Sequence, residues 1–280
     1  NVSLVKNFLL ILIDFFKKSL LLSSLSDKES KGFISLLSRL HFMPYTKLVV
    51  PFSLGRTIRG SSFEKNLTQD PYGRLCMDIF NDVDNKILFK NVLKQFIRER
   101  DLTAADIVHL SGNTKLNKYP AWALVMPWDK LSINENNESY PDLFYSNRSS
   151  NDLSFKGSTR LTIIETMYSY KSVESKVNQM QKLYKSIRRH GLKKNSNLPK
   201  INILIKENEW RWFMGDAGNH RAYICSCFEF KSLESRVSSI INKKEVNSWP
   251  NVINGTYSVE EAESIFDSYF NGSLVLKGVV

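Results

Sequence analysis

The chain has few cysteines and no spacing that would bring metal-binding side chains together. Its three cysteines are an odd number, and Cys225 and Cys227 are separated by a single residue, which excludes a disulfide framework. The four histidines are scattered and no Cys-x-x-Cys pair occurs, which argues against a structural zinc site. We therefore expect the cysteines to be small buried side chains in a reducing compartment.

Long hydrophobic runs are also missing. The apolar stretch at residues 8–13 is interrupted by Asp14 and then by two lysines, well short of the ~20 apolar residues that span a membrane. No cleavage site of small residues follows it. Two interpretations remain for residues 1–24: an amphipathic helix that packs on the protein, or a helix that lies on a membrane surface. We expect a cytoplasmic protein, peripheral to the inner membrane face in the second case.

Acidic residues are too few to balance the basic ones. The chain has 39 Lys and Arg against 28 Asp and Glu, a net charge of +11 at pH 7. This excess favours anionic partners, namely nucleotides, nonspecifically bound nucleic acid, phosphorylated substrates or an acidic membrane face. The hydrophobic fraction of 42% over 280 residues is enough for a core, so wholesale disorder is excluded.

The composition changes near residues 150–158, where a stretch rich in Asn, Ser, Asp and Glu reads as a loop. We place a boundary there and expect a helical segment at 1–45, a mixed α/β region at 46–157 and a C-terminal domain at 158–280. For the mixed region the patterns predict a strand at 48–50, a helix at 86–99, a short helix capped by Thr103, and a strand between Pro120 and Pro127.

The C-terminal domain has the clearer patterns. They predict a strand at 159–169, a helix at 173–189 capped by Ser172, two strands joined by a turn at 206–208, a helix at 222–227, a strand near 230–241, and a helix opened by a capping box at 258–261. This order of elements predicts an α/β fold of the α+β kind.

Residues 213–224 read FMGDAGNHRAYI, with more glycine and polar residues between a strand and a helix than a plain loop needs. Gly218 can adopt φ > 0 and let the backbone approach an anion. The first amides of the following helix are free donors, and the helix dipole adds positive charge. Arg221 can donate two N–H groups to phosphate, and Asn219 and His220 complete the turn. The alternative is an ordinary turn whose arginine pairs with a surface carboxylate.

The order strand, helix ending in His-Gly-Leu, strand, hairpin turn, strand, and then Gly-Asn-His-Arg-Ala-Tyr is similar to the ParB/sulfiredoxin superfamily over about residues 160–242. In that family a strand ends in a Gly-x-x-Arg turn that caps a helix. The resemblance implies a small mixed sheet with helices. It also implies a nucleoside triphosphate such as ATP, held by its phosphates at Gly218, Asn219, His220 and Arg221, with Mg²⁺ neutralising the charge.

Two branches of the superfamily fit less well. Sulfiredoxin chemistry needs a cysteine inside the turn, where this chain has Asn219. ParB itself couples its nucleotide site to a helix-turn-helix, but only one good helix is predicted after residue 242. The chain therefore resembles most the free-serine-kinase branch, in which a carboxylate near the turn acts as a base.

Three carboxylates are candidates for that base or for a metal ligand. Asp216 lies two residues before Gly218, offset by Ala217 from the common spacing of the family. Glu165 lies toward the end of the strand predicted at 159–169, and Glu174 lies at the start of the next helix. Each could instead be a solvated acid or a partner of a helix dipole.

A second basic loop, GRTIRGSS at residues 55–62, follows the strand at 48–50. It is neither a Walker motif nor a dinucleotide fingerprint. Arg56, Arg59 and Ser61 are candidates for binding a phosphate or carboxylate of an acceptor. The alternative is a solvated surface loop.

The sequence thus predicts a nucleotide-binding protein that acts as an ATP-dependent phosphotransferase, a kinase, on a small hydroxylated or glycan-linked acceptor. The competing prediction is a ParB-like module that binds a nucleotide or DNA without transfer chemistry.

Overall fold

The structure is a computed structural model, and it describes residues 47–65, 67–84, 86–88, 90–92, 94, 101–139, 170–192, 198–215 and 217–274. Four predictions lie outside these residues: the helical segment at 1–45, the boundary near 150–158, the strand at 159–169 and the positions of Glu165 and Asp216.

Five strands form one mixed sheet in the order β1-β5-β3-β4-β2. They are β1 (Lys47–Pro51), β2 (Gly55–Arg56), β3 (Lys200–Lys206), β4 (Glu209–Met214) and β5 (Ser232–Asn242). The β3–β5 and β2–β4 pairs are parallel, whereas β1–β5 and β3–β4 are antiparallel. The mixed sheet with its helices confirms the predicted α+β class.

The α-helices are α1 (Pro71–Phe80), α2 (Ala104–Ile107), α3 (Tyr170–His190), α4 (Asn219–Cys227), α5 (Pro250–Ile253) and α6 (Val259–Asn271). Short 3₁₀ helices occur at Phe52–Leu54, Leu67–Gln69, Leu116–Lys118, Ala121–Ala123 and Lys243–Ser248. Residues 86–88, 90–92, 94 and 133–139 are also helical.

Helices cover both faces of the sheet, because successive side chains of a strand point to opposite sides. On β4, Trp212 packs into a core with α1, α3 and α4. The next residue, Phe213, packs into a second core with α2 and α6. The protein therefore has three layers, with the sheet in the middle.

Most local signals of the C-terminal half are confirmed. The apolar stripe of α3 is buried on the first core through Val173, Val177, Met180, Tyr184 and Ile187. The β3–β4 hairpin turns at residues 207–208, and the strand predicted near 230–241 is β5. The three cysteines are buried and unbridged. No helix within the described residues is long and apolar enough to cross a membrane.

Three predicted boundaries or elements are wrong. Helix α3 begins at Tyr170, so Ser172 lies inside it and is not its N-cap. Helix α4 begins at Asn219, three residues early, because the left-handed Gly218 ends the extended backbone directly before it. The stretch between Pro120 and Pro127 is not a strand: the Ala123 amide donates to the Pro120 carbonyl at 2.9 Å, which closes a 3₁₀ turn.

Candidate functional site

The sheet brings the two predicted anion-binding segments to the same end of the molecule. Strand β2 is parallel to β4, with Gly55 opposite Trp212 and Arg56 opposite Phe213. Because parallel strands run in the same direction, the loop after β2 and the turn after β4 leave the sheet at one edge. Segments that are about 160 residues apart in the sequence thereby become neighbours.

The side chain of Tyr72 lies where these segments meet. It belongs to the first turn of α1, next to Pro71, and is half-buried. The guanidinium carbon of Arg59 lies 5.9 Å from the centre of its ring. The His220 ring is 5.8 Å away, centre to centre. The basic loop and the Gly-Asn-His-Arg turn thus contact the same aromatic ring.

A second cation reaches the same ring from α3. The ammonium group of Lys176 donates a hydrogen bond of 2.9 Å to the Tyr72 hydroxyl and lies 5.2 Å from the ring centre. Cations at such distances are attracted to an aromatic face. Arg59, Tyr72, Lys176 and His220, together with the first turn of α4, are called the Tyr72 site below.

His220 contributes to this site as a neutral ring. Burial first, and then the charge of Lys176, lower the pKa of His220 from 6.5 to about 4. The imidazole is therefore uncharged at pH 7 and can donate one N–H. At neutral pH, Arg59 and Lys176 bring positive charge to the Tyr72 ring, and Arg221 in the first turn of α4 is a further cation of the site.

Gly218, before α4, has the positive φ predicted from the sequence. The group that approaches it closely, however, is Pro199 of the same chain. Gly218 has φ of 88°, and a Cβ there would lie 2.5 Å from the Pro199 Cα. The close approach is thus to the protein's own backbone. Asn219 donates to the Gly215 carbonyl at 3.0 Å, while its buried side-chain oxygen makes no hydrogen bond within the described residues.

Arg221 is half-buried on the first turn of α4. Its charge acts on Cys225, one helical turn further on, where it partly opposes the effect of burial that raises the pKa of that thiol to about 12. Arg221 therefore lies within electrostatic reach of Cys225 on the same helix.

Two of the three candidates in the basic loop have structural roles. The buried Arg56 donates to the carbonyls of Gly55, Tyr269 and Phe270, at the C-terminal end of α6. The Ser61 hydroxyl, also buried, donates to the Leu274 carbonyl at 3.3 Å. Of the predicted acceptor-binding residues, only Arg59 reaches the Tyr72 site.

Of the predicted catalytic carboxylates, Glu174 lies within the described residues. Glu174 is exposed on α3. It is two residues from Lys176, and residues at that spacing do not share a helix face. Glu165 and Asp216 lie outside the described residues.

One carboxylate near the site was missed by the sequence analysis. Asp70 is 1% exposed, and its Oδ1 accepts hydrogen bonds from the amides of Tyr72 at 2.9 Å and Gly73 at 3.2 Å. Burial raises the pKa of Asp70, while the charge of Arg59 opposes this effect. Asp70 therefore lies within electrostatic reach of Arg59.

A local signal for this part of the site does exist in the sequence. Asp70 followed by Pro71 is a typical helix start, with an N-cap residue before a proline at the first helical position. That signal locates α1 and the position of Tyr72 on it. It does not reveal that Lys176, about a hundred residues away, lies against the Tyr72 ring.

A resident metal site is not evident from the described side chains, which contain no group of three or more His, Cys, Asp or Glu that could hold an ion. Mg²⁺ that arrives on a nucleotide needs fewer protein ligands, because phosphates and water complete its shell.

Comparisons of this chain with protein-family models, with curated proteins and with solved structures found no match.

Proposed function

We propose that the Tyr72 site binds the phosphates of a nucleoside triphosphate. The observation that supports this most directly is the convergence of two cations, Arg59 and Lys176, beside the first turn of a helix that begins with a glycine. Gly218 has no side chain to accept from the first amides of α4, and that turn contains no acidic residue. Positive side chains next to free helix amides are the usual chemistry of a phosphate site.

Each group would have a distinct role toward the phosphates. Arg59 would donate a pair of N–H groups, and Lys176 would act as a point charge. The neutral His220 would donate one N–H, and the Asn219 amide would lie at the start of the helix. Two cations neutralise only part of the negative charge of a triphosphate. Mg²⁺ bound to the phosphates would neutralise the remaining charge.

The function that follows is an ATP-dependent phosphotransferase, as the resemblance to the free-serine-kinase branch implies. In such a reaction the terminal phosphoryl group moves to an acceptor hydroxyl, the nucleoside diphosphate leaves, and a carboxylate takes the hydroxyl proton. Asp216 and Glu165 remain the proposed bases, and the acceptor would be a small hydroxylated or glycan-linked molecule in the cytoplasm.

The first experiment measures ATP and inorganic triphosphate binding by isothermal titration calorimetry, with and without Mg²⁺. Arg59→Gln and Lys176→Gln should each weaken binding about 10- to 100-fold, because hydrogen bonds to charged groups contribute about 1.5–3 kcal/mol. Arg221→Ala tests whether the arginine of the turn also takes part.

Arg188→Gln is the matched control, because it removes a positive charge from the exposed far end of α3, about 18 Å along the helix from Lys176. It should bind triphosphate like the wild type. Absence of binding by the wild type, or an equal loss in Arg188→Gln, would contradict a specific phosphate site.

A second function is favoured by the exposed face of α3. Lys182, Lys185 and Arg189 are exposed at positions that share one side of the helix. This basic face supports the alternative of a nucleotide- or DNA-binding module without transfer chemistry. Duplex DNA binding that weakens steeply with salt, by about 0.9 in the log–log slope per phosphate contacted, would favour the module. ATP turnover that rises with a hydroxylated acceptor would favour the enzyme.

A further inference from the structure

The backbone that carries Tyr72 is fixed at the start of α1. Tyr72 is the second residue of this helix, and its amide donates to the capping carboxylate of Asp70 at 2.9 Å. A capped helix start with a proline at its first position has little conformational freedom. The tyrosine side chain itself has only two torsion angles, whereas the side chain of Lys176 has a flexible four-carbon stem. The Tyr72 hydroxyl is therefore a pre-organised group of the site.

The ring of Tyr72 is also packed against α4. Its centre lies 6.0 Å from the centre of the buried Tyr223 ring and 5.8 Å from that of His220. Tyr223 and His220 are three residues apart on α4, and residues at this spacing share a helix face. Contacts with two helices, α1 and α4, therefore set the position of the Tyr72 ring.

The Tyr72 hydroxyl accepts a hydrogen bond from the ammonium group of Lys176, 2.9 Å away. An ammonium group has protons to donate and no lone pair, so the phenol oxygen is the acceptor and its own proton points elsewhere. Within the described part of the chain, the Tyr72 hydroxyl takes part in this bond and in no other. The contact with Lys176 thus uses the oxygen of the hydroxyl and leaves its proton for another partner.

The surroundings of this proton favour an anion as its partner. The charged groups of Arg59 and Lys176 lie 5.9 and 5.2 Å from the centre of the ring. The bond from the ammonium group also polarises the phenol, which strengthens its O–H group as a donor. A hydrogen bond from a hydroxyl to a charged oxygen is about twice as strong as one between neutral groups. A phosphate oxygen beside the two cations is an acceptor of this kind.

We propose that Tyr72 binds the substrate directly, by donating its hydroxyl proton to a phosphate oxygen while the same hydroxyl accepts from Lys176. This inference rests on the proposed function, and it adds a neutral hydrogen-bond donor to the cations of the site. The aromatic ring attracts the cations, and the hydroxyl contacts the ligand.

The first test is Tyr72→Phe, with inorganic triphosphate as the probe, the full chain and isothermal titration calorimetry. The variant keeps the ring that attracts Arg59 and Lys176 and removes only the hydroxyl. We expect triphosphate to bind about tenfold more weakly, because a hydrogen bond to a charged group is lost. Binding equal to that of the wild type would overturn the proposal.

Tyr119→Phe is the matched control. It removes a hydroxyl that contacts Asn134, from a ring that packs against the second core on the other face of the sheet. Its affinity for triphosphate should equal that of the wild type. An equal loss in Tyr119→Phe and Tyr72→Phe would mean that the effect is not specific to the Tyr72 site, which would also overturn the proposal.

A double-mutant cycle separates direct contact with the ligand from an effect through Lys176. Lys176→Met keeps the length of the side chain but has no proton to donate to Tyr72. If Tyr72 only holds Lys176 in place, Tyr72→Phe has no further effect in this background. We expect it to weaken triphosphate binding there by at least about threefold, less than in the wild type because the polarising ammonium group is gone. A smaller loss would overturn the direct contact.

The two proposals fail in different ways. If the wild type does not bind triphosphate, the proposed function fails, and the role of Tyr72 fails with it. If the wild type binds and Lys176→Met weakens binding while Tyr72→Phe does not, the phosphate site stands and only the direct contact of Tyr72 is wrong. Circular dichroism of each variant at the temperature of the titration verifies that the protein is folded.

Discussion

Helices α4 and α6 begin in opposite ways. At α6, the Ser258 hydroxyl accepts the Glu261 amide at 3.1 Å, and the Glu261 carboxylate accepts the Ser258 amide at 2.8 Å. At α4, the corresponding position is Gly218, which has no side chain. The far end of α6 is also completed by the protein, through Arg56 and the left-handed Gly272.

The difference separates a helix start that the protein completes itself from the helix start where we propose that a ligand binds. The first turn of α6 contains two acidic residues, which complement the positive end of the helix dipole. The first turn of α4 contains Asn219, His220 and Arg221, so nothing in it neutralises the dipole. At α6 the protein's own side chains complete the start of the helix, whereas at α4 we propose that a bound anion takes that position. The two arginines of the basic loop differ in the same way, because Arg56 donates to the end of α6 and Arg59 lies against the Tyr72 ring.

The largest effect is expected when Arg56 is removed. Arg56→Ala should destabilise the protein by about 3 kcal/mol, because it takes a buried hydrogen-bonding cation from the end of α6 and removes the donor of the Phe270 carbonyl. Urea denaturation measures this change. Arg59→Ala, in the same loop, is the matched control and should change stability by less than about 1 kcal/mol.

The opposite ranking would contradict the assignment of Arg56 to the end of α6 and of Arg59 to the Tyr72 site. If Arg59→Ala destabilised the fold as much as Arg56→Ala, both arginines would be structural and the Tyr72 site would lose its main cation. If neither did, the end of α6 would not depend on Arg56.

The sequence was sufficient where a feature depends on neighbouring residues. The capping box at Ser258 and Glu261 and the Thr103 cap of α2 are confirmed, since each needs only residues within one helical turn. The buried stripe of α3 and the β3–β4 hairpin are confirmed for the same reason, because a periodic pattern and a short turn are local. These features establish the α+β class without any knowledge of topology.

The site depends on contacts that no local pattern contains. Arg56 and Arg59 are three residues apart and equally basic, yet one caps α6, more than 200 residues away, and the other lies on Tyr72. What separates them is the parallel pairing of the two-residue strand β2 with β4, which sequence patterns do not reveal. The same holds for Lys176, whose partner Tyr72 comes from a different helix. The sequence thus predicted the turn before α4 and Arg59 of the second loop as parts of a site, but it did not predict the Tyr72 ring that both contact.

A smaller effect should appear in the pH dependence of stability. The pKa of His220 is about 4 in the folded protein, below its ordinary value of 6.5, chiefly because the ring is buried. The neutral ring therefore favours the native state above pH 6.5, and this contribution is lost as the pH falls toward 4, since the unfolded chain takes up a proton that the native state resists.

His220→Gln removes this acid sensitivity. Between pH 7.5 and 4.5 the free energy of unfolding of the variant should fall by about 2 kcal/mol less than that of the wild type, a value reduced from the full shift because the ring is partly exposed. Urea denaturation at both pH values measures the difference in free energy of unfolding between the two proteins. The contributions of carboxylates common to both cancel in this difference. If this difference in free energy of unfolding is the same at both pH values, His220 is solvated and can be charged at the start of α4.

The smallest effect is expected at the start of α6, where a change in stability without a change in binding is predicted. Ser258→Ala removes the hydroxyl that accepts the Glu261 amide and should cost about 1 kcal/mol, the usual value of an N-cap. Triphosphate binding should stay unchanged in the same variant, because α6 begins on the other side of the sheet from the Tyr72 site. Calorimetry at a temperature well below the melting transition separates the two quantities. A loss of affinity in Ser258→Ala would show that the helix starts are coupled through the sheet, and the division of one helix for stability and one for binding would no longer hold.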